Sequence, residues 1–450
     1  MAEFNYGIST FERRRGDLPS LPLENMLAEN IPVEPGVTLQ SRPGQELTAI
    51  TMGGSSVDRL YTEDGVLDGV LFGVSNGSLY QESAEIGAIN GTGPISFGGW
   101  ETNVFVNAGQ SIWSYDGATL EEISFPDTAN VSKIVVAGSR IVAIRSGTGQ
   151  FYWSDVLTTT IDPLSFATAE SSPDLLLDMV FIGDRLMLFG KETVETWPIT
   201  GENDLPFAPL IGTVFPVGIK TTGCACNFSR SFAWITNYNE VCVGDPDNII
   251  SEPELQVRIG ESASVSLWTF YVDENEYLAV SLDNETWVFG ARSQVWSKFS
   301  TLGLTNWAAK CYDGGYFGLR NSASLAIWSK DTYVDLGGPI ERSFRAWAPI
   351  TAGSMQISNI ILRTNPGTTP YLTGQYAEPI VELRTSEDGG REWQPWQQTT
   401  LGLQGKYRTK TVWSSMGLFG YPGVLIEVRV TDPVPFRVSG LAYNEPFGGK

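Results

Sequence analysis

A chain of 450 residues with 42% hydrophobic content is long enough to bury substantial cores, and its 51 acidic against 29 basic residues give a formal charge of −22. That charge excludes a surface that grips nucleic acid by neutralising phosphates, which takes clustered Lys and Arg; the absence of histidine removes the commonest general base, the usual zinc ligand and every Ser-His or Cys-His nucleophile pair. Twelve per cent aromatic residues, 48 glycines and 25 prolines favour many short strands joined by tight turns over long helices.

Residues 1–46 carry Pro19, Pro22, Pro32, Pro35 and Pro43 among Gly, Glu and Asn, which prevents a continuous helix or central strand and predicts an extended arm. No apolar run follows Arg13, Arg14 and Arg15, so no secretory signal is expected and synthesis in a cytoplasm fits. No window approaches the ~20 apolar residues of a membrane helix, and no membrane insertion is expected. The three arginines form a candidate contact patch for an acidic partner. Glu3, Glu12 and Asp17 balance them nearby, so a solvated patch is the competing reading.

From about residue 47 to 340 one unit recurs: a short apolar strand, a turn of Gly, Asn or Asp, and a second strand ending in an aromatic or β-branched residue. Instances are Leu71 to Tyr80, Val104 to Trp113 and Tyr277 to Trp287. Near the end of the second strand stand Tyr80, Trp113, Trp153, Trp197, Val241, Trp287 and Trp328, separated by 33, 40, 44, 44, 46 and 41 residues. Four-stranded propeller blades recur at about 40 to 45 residues, so the six intervals predict a β-propeller of about six blades, one of them completed by strands from both ends of the region. Asn76-Gly77, Asp116-Gly117, Gly183-Asp184 and Asp283-Asn284 are pairs that accept the positive φ of tight hairpins. From Met179 to Phe189 both runs flanking Gly183 are almost wholly apolar, as expected of strands packed on both faces. A β-sandwich with coincidental spacing is the alternative.

Cys224, Cys226, Cys242 and Cys311 are too few for a disulfide scaffold and lack zinc-knuckle spacing; they are read as reduced core thiols, with a Cys224–Cys242 bridge between neighbouring strands as the alternative. Beyond Pro339 the period is lost. Residues 341–450 still alternate apolar with polar or charged positions, as in Ile357 to Arg363, Ile380 to Arg384 and Val424 to Val430, and predict a second, antiparallel β domain that the N-terminal arm is able to complete.

Ser386, Asp388, Gly390 and Trp393 match S-x-D-x-G-x-x-W, the Asp-box familiar from sialidases. Its physics is that of a turn: Ser and Asp bond backbone donors across the bend, glycine takes positive φ and Trp packs beneath, so the expected role is structural. A glycosidase needs two carboxylates about 5 to 9.5 Å apart, and a sialidase-like site needs several arginines converging on a carboxylate. Arg140, Arg145, Arg185 and Arg258 are scattered in turns and strand ends. Gly244 to Asn248 gathers oxygen ligands but lacks the twelve-residue loop of an EF-hand and reads as a solvated turn. No phosphate loop or nucleotide fingerprint is present, and no catalytic, cofactor or metal site is expected.

Between Ala169 and Ile219 stand Ala169 to Asp174, then Phe189, Gly190, Thr193, Val194, Glu195 and Trp197, then Gly201, Pro206, Phe207, Gly212, Val217 and Gly218. This resembles the central signature of the podovirus packaged-DNA-stabilisation proteins, also called tail hub or nozzle proteins: an F-G-x-x-[ST]-[IV]-E-x-W block followed by P-F and V-G turns. Leu23 to Glu29 with Ser41 to Gly44 resembles that family's opening segment. Thr286 to Phe289 with Trp296 resembles one of its blades, with Gly290 where an Asp is usual. The resemblance spans most of residues 23–300.

The resemblance implies a non-enzymatic structural protein of a phage virion tail. It implies a homo-hexamer below the portal and its adaptor ring that extends the DNA channel, retains packaged DNA, carries a tail needle or plug and offers docking to tailspikes or fibres. On that view DNA passes an acidic wall without specific binding, because like charge keeps the duplex hydrated and mobile, while aromatic and proline-rich surfaces make the ring contacts. Two alternatives remain: a tail-associated, sialidase-like propeller hydrolase acting on glycans, and a propeller interaction module unrelated to virions.

Overall fold

The computed structural model describes residues 2–6, 21–30, 37–169, 174–210, 212–329, 331–367 and 374–444. Seven antiparallel sheets follow one another along the chain. The first three have four strands each: Arg59–Tyr61, Phe72–Ser75, Ser78–Gln81 and Ala84–Ala88; Ser96–Trp100, Asn103–Asn107, Ile112–Tyr115 and Leu120–Ile123; Val131–Ala137, Arg140–Arg145, Gln150–Ser154 and Ile161–Thr168. The fourth and fifth have three, Leu176–Ile182, Arg185–Gly190 and Val194–Pro198, then Ala225–Phe228, Ser231–Ile235 and Val241–Val243. The sixth comprises Ser266–Val272, Asn275–Ser281, Thr286–Gly290 and Trp296–Phe299. The seventh joins Ala309–Asp313, Tyr316–Leu319 and Ser324–Ser329 to Gly44–Thr51, a strand from before the first sheet.

The first strands of the sheets pack side by side in a ring, and that of the seventh returns to that of the first. Between sheets one and two the contact is a stack of Tyr61 on Phe97, with ring centroids 5.3 Å apart. These sheets are therefore the blades of a closed β-propeller. Gly44–Thr51 closes it: seven blades occupy the region where the six intervals predict about six. All seven aromatic or apolar anchors, Tyr80 through Trp328, fall in the third strand of successive blades. In a ring the last interval runs back through the closing strand, so anchors rather than intervals count the blades.

Local chemistry explains the hairpins. Asn76 and Gly77 both take positive φ, 50° and 77°, and Gly183 takes 60°, as tight turns require. Asp283 and Asn284 do not adopt positive φ. Their loop is longer, closed by Leu282 N–H donating to Glu285 O at 2.8 Å, and Asp283 instead accepts the N–H groups of Ala263 and Ser264. Cys224 and Cys242 do not lie on neighbouring strands, because Ser231–Ile235 runs between them. Two strand spacings of about 4.8 Å exceed disulfide reach.

Residues after Pro339 form two further sheets around one apolar core that includes Phe344, Ile360, Leu362, Val424, Val428 and Leu441. One sheet runs Thr411–Phe419, Met355–Thr364, Arg437–Tyr443, Val37–Ser41, Met26–Asn30. The other continues from blade six through Leu23–Glu24 to Arg342–Pro349, Gly423–Val430, Ile380–Ser386 and Gln397–Thr400. The chain before the closing strand thus pairs with both sheets. Among the described residues the one α-helix, Pro253–Glu261, buries Leu255 and Ile259, and no helix is long and apolar enough to cross a membrane.

Candidate functional site

The innermost strands of all seven blades surround an axial cavity. One compartment of about 640 Å3 is lined by Arg59, Lys133, Tyr271 and Asp313 among others. A second of about 470 Å3 shares Arg59, Lys133 and Trp268 with it and adds Lys310. Two of the cations are neutralised in place: Lys133 Nζ lies 2.8 Å from Asp178 Oδ1, and Lys310 Nζ 2.5 Å from Asp58 Oδ1. Burial pushes the Asp313 carboxyl up to about 6 against the pull of Arg59. Burial and the hydrogen bond that Tyr61 Oη donates to Glu63, 2.6 Å, raise the phenol. The space is of small-molecule size. A duplex, whose major groove alone is about 12 Å wide, does not fit it.

The block quoted for the resemblance builds blade four, apart from Glu170 to Pro173 and Ile211, which lie outside the described residues. Asp174 Oδ2 accepts the N–H groups of Glu192 and Thr193, both at 2.8 Å, and pins the hairpin from blade side to tip. A side chain at Gly190 would collide with that carboxylate, and one at Gly218 with the Lys191 carbonyl. Buried Trp197 donates from Nε1 to Glu195 Oε2 at 2.9 Å and meets Phe151 edge-on at 5.1 Å. Asp174, Gly190, Thr193, Glu195, Trp197 and Gly218 of the block therefore each have a structural task.

The Asp-box stands in the C-terminal region, where Ile380–Ser386 ends. Ser386 Oγ donates to Asp388 Oδ1 at 2.7 Å and accepts from Gly390 N; Asp388 accepts from the N–H groups of Arg391 and Glu392. These backbone donors, that of Glu392 foremost, hold the Asp388 carboxyl below its ordinary range. Gly389 and Gly390 take φ of 77° and 97°. Trp393 packs against Leu21, Trp347 and Leu425, with the guanidinium of Arg384 4.5 Å from its ring. Arg13, Arg14 and Arg15 lie outside the described residues. Arg140, Arg145, Arg185 and Arg258 each meet a separate acid, Asp155, Asp127, Asp184 and Glu285.

Sequence reasoning missed the joint between propeller and C-terminal sheets. Fully buried Arg42 forks onto Asp335 at 2.8 and 3.2 Å and donates to Asn25 Oδ1 and Ser300 O. Its guanidinium also faces Phe299 and Trp307. Beside it, buried Arg342 donates to Ser41 Oγ and to the carbonyls of Asp432 and Val434; desolvation brings it down to about 9. The available signal was an arginine directly before Pro43-Gly44, too common a pattern to mark a buried ion pair.

Residues 12–312 match the family described as Bacteriophage P22 Gp10, beta-propeller. The chain belongs to this family. Tail hub protein gp10 of Salmonella phage P22 is 25% identical over 205 residues, which are 40% of this chain and 43% of that protein, so the match spans less than half of the relative. The family is one of structural tail proteins, not enzymes. Among solved structures, the β-propeller domain of Cps50 (Swd1) from Myceliophteria thermophila shares 9% identity, covers 63% of this chain and 99% of its own, and has a TM-score of 0.42. Raptor from Chaetomium thermophilum shares 8% identity over 65% of this chain and 29% of its own, with a TM-score of 0.43.

Proposed function

We propose that this chain is a structural tail hub of a short-tailed phage virion, made in the host cytoplasm and assembled as a ring, a hexamer, on the portal's adaptor. The observation that carries this reading is the family match over residues 12–312, within which the most specific block builds a blade rather than a reactive site. In this role residues 47–340 act as the rigid propeller and residues 341–450, joined by strands from the first 46, as a second β unit. A propeller carries load and offers flat docking faces without a moving active site.

Since the propeller axis is too small for a duplex, the DNA path belongs to the axis shared by the copies. The chain's charge of −22 supports a wall that repels DNA and keeps it mobile. Retention of the genome, a needle or plug at the far end, and spikes or fibres outside complete the role. Electron micrographs of the purified chain mixed with portal and adaptor rings test it. A tapered, axially open tier added to those rings is expected; rings that stay bare under assembly conditions defeat the reading.

A further inference from the structure

The charge of the chain is segregated in a way that its net value hides. Residues 60–132, which build blades one and two apart from Arg59 of the axial cavity, contain ten acids and no Lys or Arg. All ten are exposed. Glu85 lies on the outermost strand of blade one, and Glu121 and Glu122 on that of blade two. Gly87 approaches Leu120 so closely that these two outer strands are neighbours, and Glu82, Glu85, Glu121 and Glu122 all lie on or directly before them. Residues 393–426 are the converse: three bases, Lys406, Arg408 and Lys410, and no acid, where the chain's average would place about four.

Those bases sit on the loop between Gln397–Thr400 and Thr411–Phe419, the latter a terminal strand of its sheet. The loop is built, not loose: Lys406 N donates to Leu403 O at 2.9 Å, Thr409 N to Lys406 O at 3.1 Å and Gly405 N to Gly367 O at 3.1 Å. It presents Tyr407, 69% exposed, and Leu403, 42% exposed, beside the cations. Lys406 and Arg408 form no ion pair among the described residues of their own chain, nor do Glu82, Glu85, Glu121 and Glu122.

We infer that the loop at residues 403–410 docks on the acidic outer edge of blades one and two of a second copy of this chain. The occupant follows from charge complementarity: the chain itself supplies the base-free surface that this acid-free, aromatic-tipped loop lacks. Three cations on a body of −22 do not favour a polyanion such as DNA. Because the two patches differ, the contact is heterologous, and repetition of it around an axis closes a ring. Complementary patches also steer approach and fix register between copies. This deepens the hub reading and rests on it.

The test counts copies added to portal–adaptor rings by native mass spectrometry, for four chains. Wild type fills rings cooperatively. The loop variant Lys406→Glu/Arg408→Glu/Lys410→Glu and the blade variant Glu82→Lys/Glu85→Lys/Glu121→Lys/Glu122→Lys, both verified as folded by circular dichroism, bind as scattered single copies, with half-filling shifted up by about tenfold or more. The chain carrying both sets of reversals fills rings again. Variants that fill rings as wild type does overturn the contact while leaving the hub reading intact. A wild type that neither joins the rings nor self-associates at high concentration overturns both. A loop variant that assembles normally but loses affinity for a fluorescent DNA duplex shows the loop to be a nucleic-acid surface instead.

Discussion

Two buried charges illustrate how single residues hold this molecule and how they should respond to change. Arg42 and Asp335 are both out of solvent, and Thr301 Oγ also donates to Asp335 at 2.7 Å. Arg42→Ala strands that carboxylate without its cation and is expected to cost ~3–5 kcal/mol in urea unfolding, whereas Arg42→Met with Asp335→Leu should cost clearly less. Asp313 is the opposite case, a carboxyl whose charged form the fold disfavours. Its folded value of about 6 exceeds the unfolded one, so the folded chain binds protons more tightly and the residue costs stability at neutral and higher pH. That cost disappears as pH falls through about 6 towards the unfolded value near 4. Asp313→Asn should therefore raise the melting temperature at pH 8 and have little effect at pH 4.5. Equal shifts at both values would show that burial does not control this group. The thiols of Cys224 and Cys242, pushed up to about 12 by burial, should resist a disulfide-exchange reagent at pH 8 until denaturant is added.

At the level of elements, blade four shows what pattern does and does not reveal. Apolar runs on both sides of Gly183 mark two buried strands, and Leu186 and Leu188 are fully buried. Trp197 is legible as an anchor because its spacing from Trp153 repeats the blade period. The reason for Gly218 is not legible, since it lies in the approach of its backbone to the Lys191 carbonyl, 27 positions back in the chain. No window-based pattern spans that contact. Gly218→Ala forces this backbone contact apart and should destabilise the protein by ~3 kcal/mol or more, as severe core clashes do. A change of ~0.5 kcal/mol or less in chemical denaturation would mean the loop yields freely. The joint around Arg42 was hidden for the same reason: its partners Ser300 and Asp335 are 258 and 293 residues distant.

At the scale of the whole molecule, the closing strand decides whether seven sheets become one ring. Gly44–Thr51 pairs along Ser324–Ser329, and buried Gln45 accepts from Trp307 Nε1 at 3.1 Å, next to the stack of Trp268 and Trp307 at 5.6 Å. Alternation after Gly44 is enough to suggest a strand, but its partner lies some 280 residues later, and only the need to complete a blade points there. Closure of this kind makes the first and last blades mutually dependent. A chain beginning at Met52 keeps 25 of the 26 strands assigned to the seven blades, yet leaves the edge Ser324–Ser329 unpaired and Trp307 without its acceptor. An open sheet edge templates association with other chains. The truncated chain is therefore expected to aggregate on gel filtration and to be cut by protease within residues 309–329, sites that the intact chain protects. Supplying residues 37–51 as a peptide should restore part of that protection, because the pairing itself, rather than the mere length of the chain, seals the ring; a peptide without effect would assign the closure elsewhere.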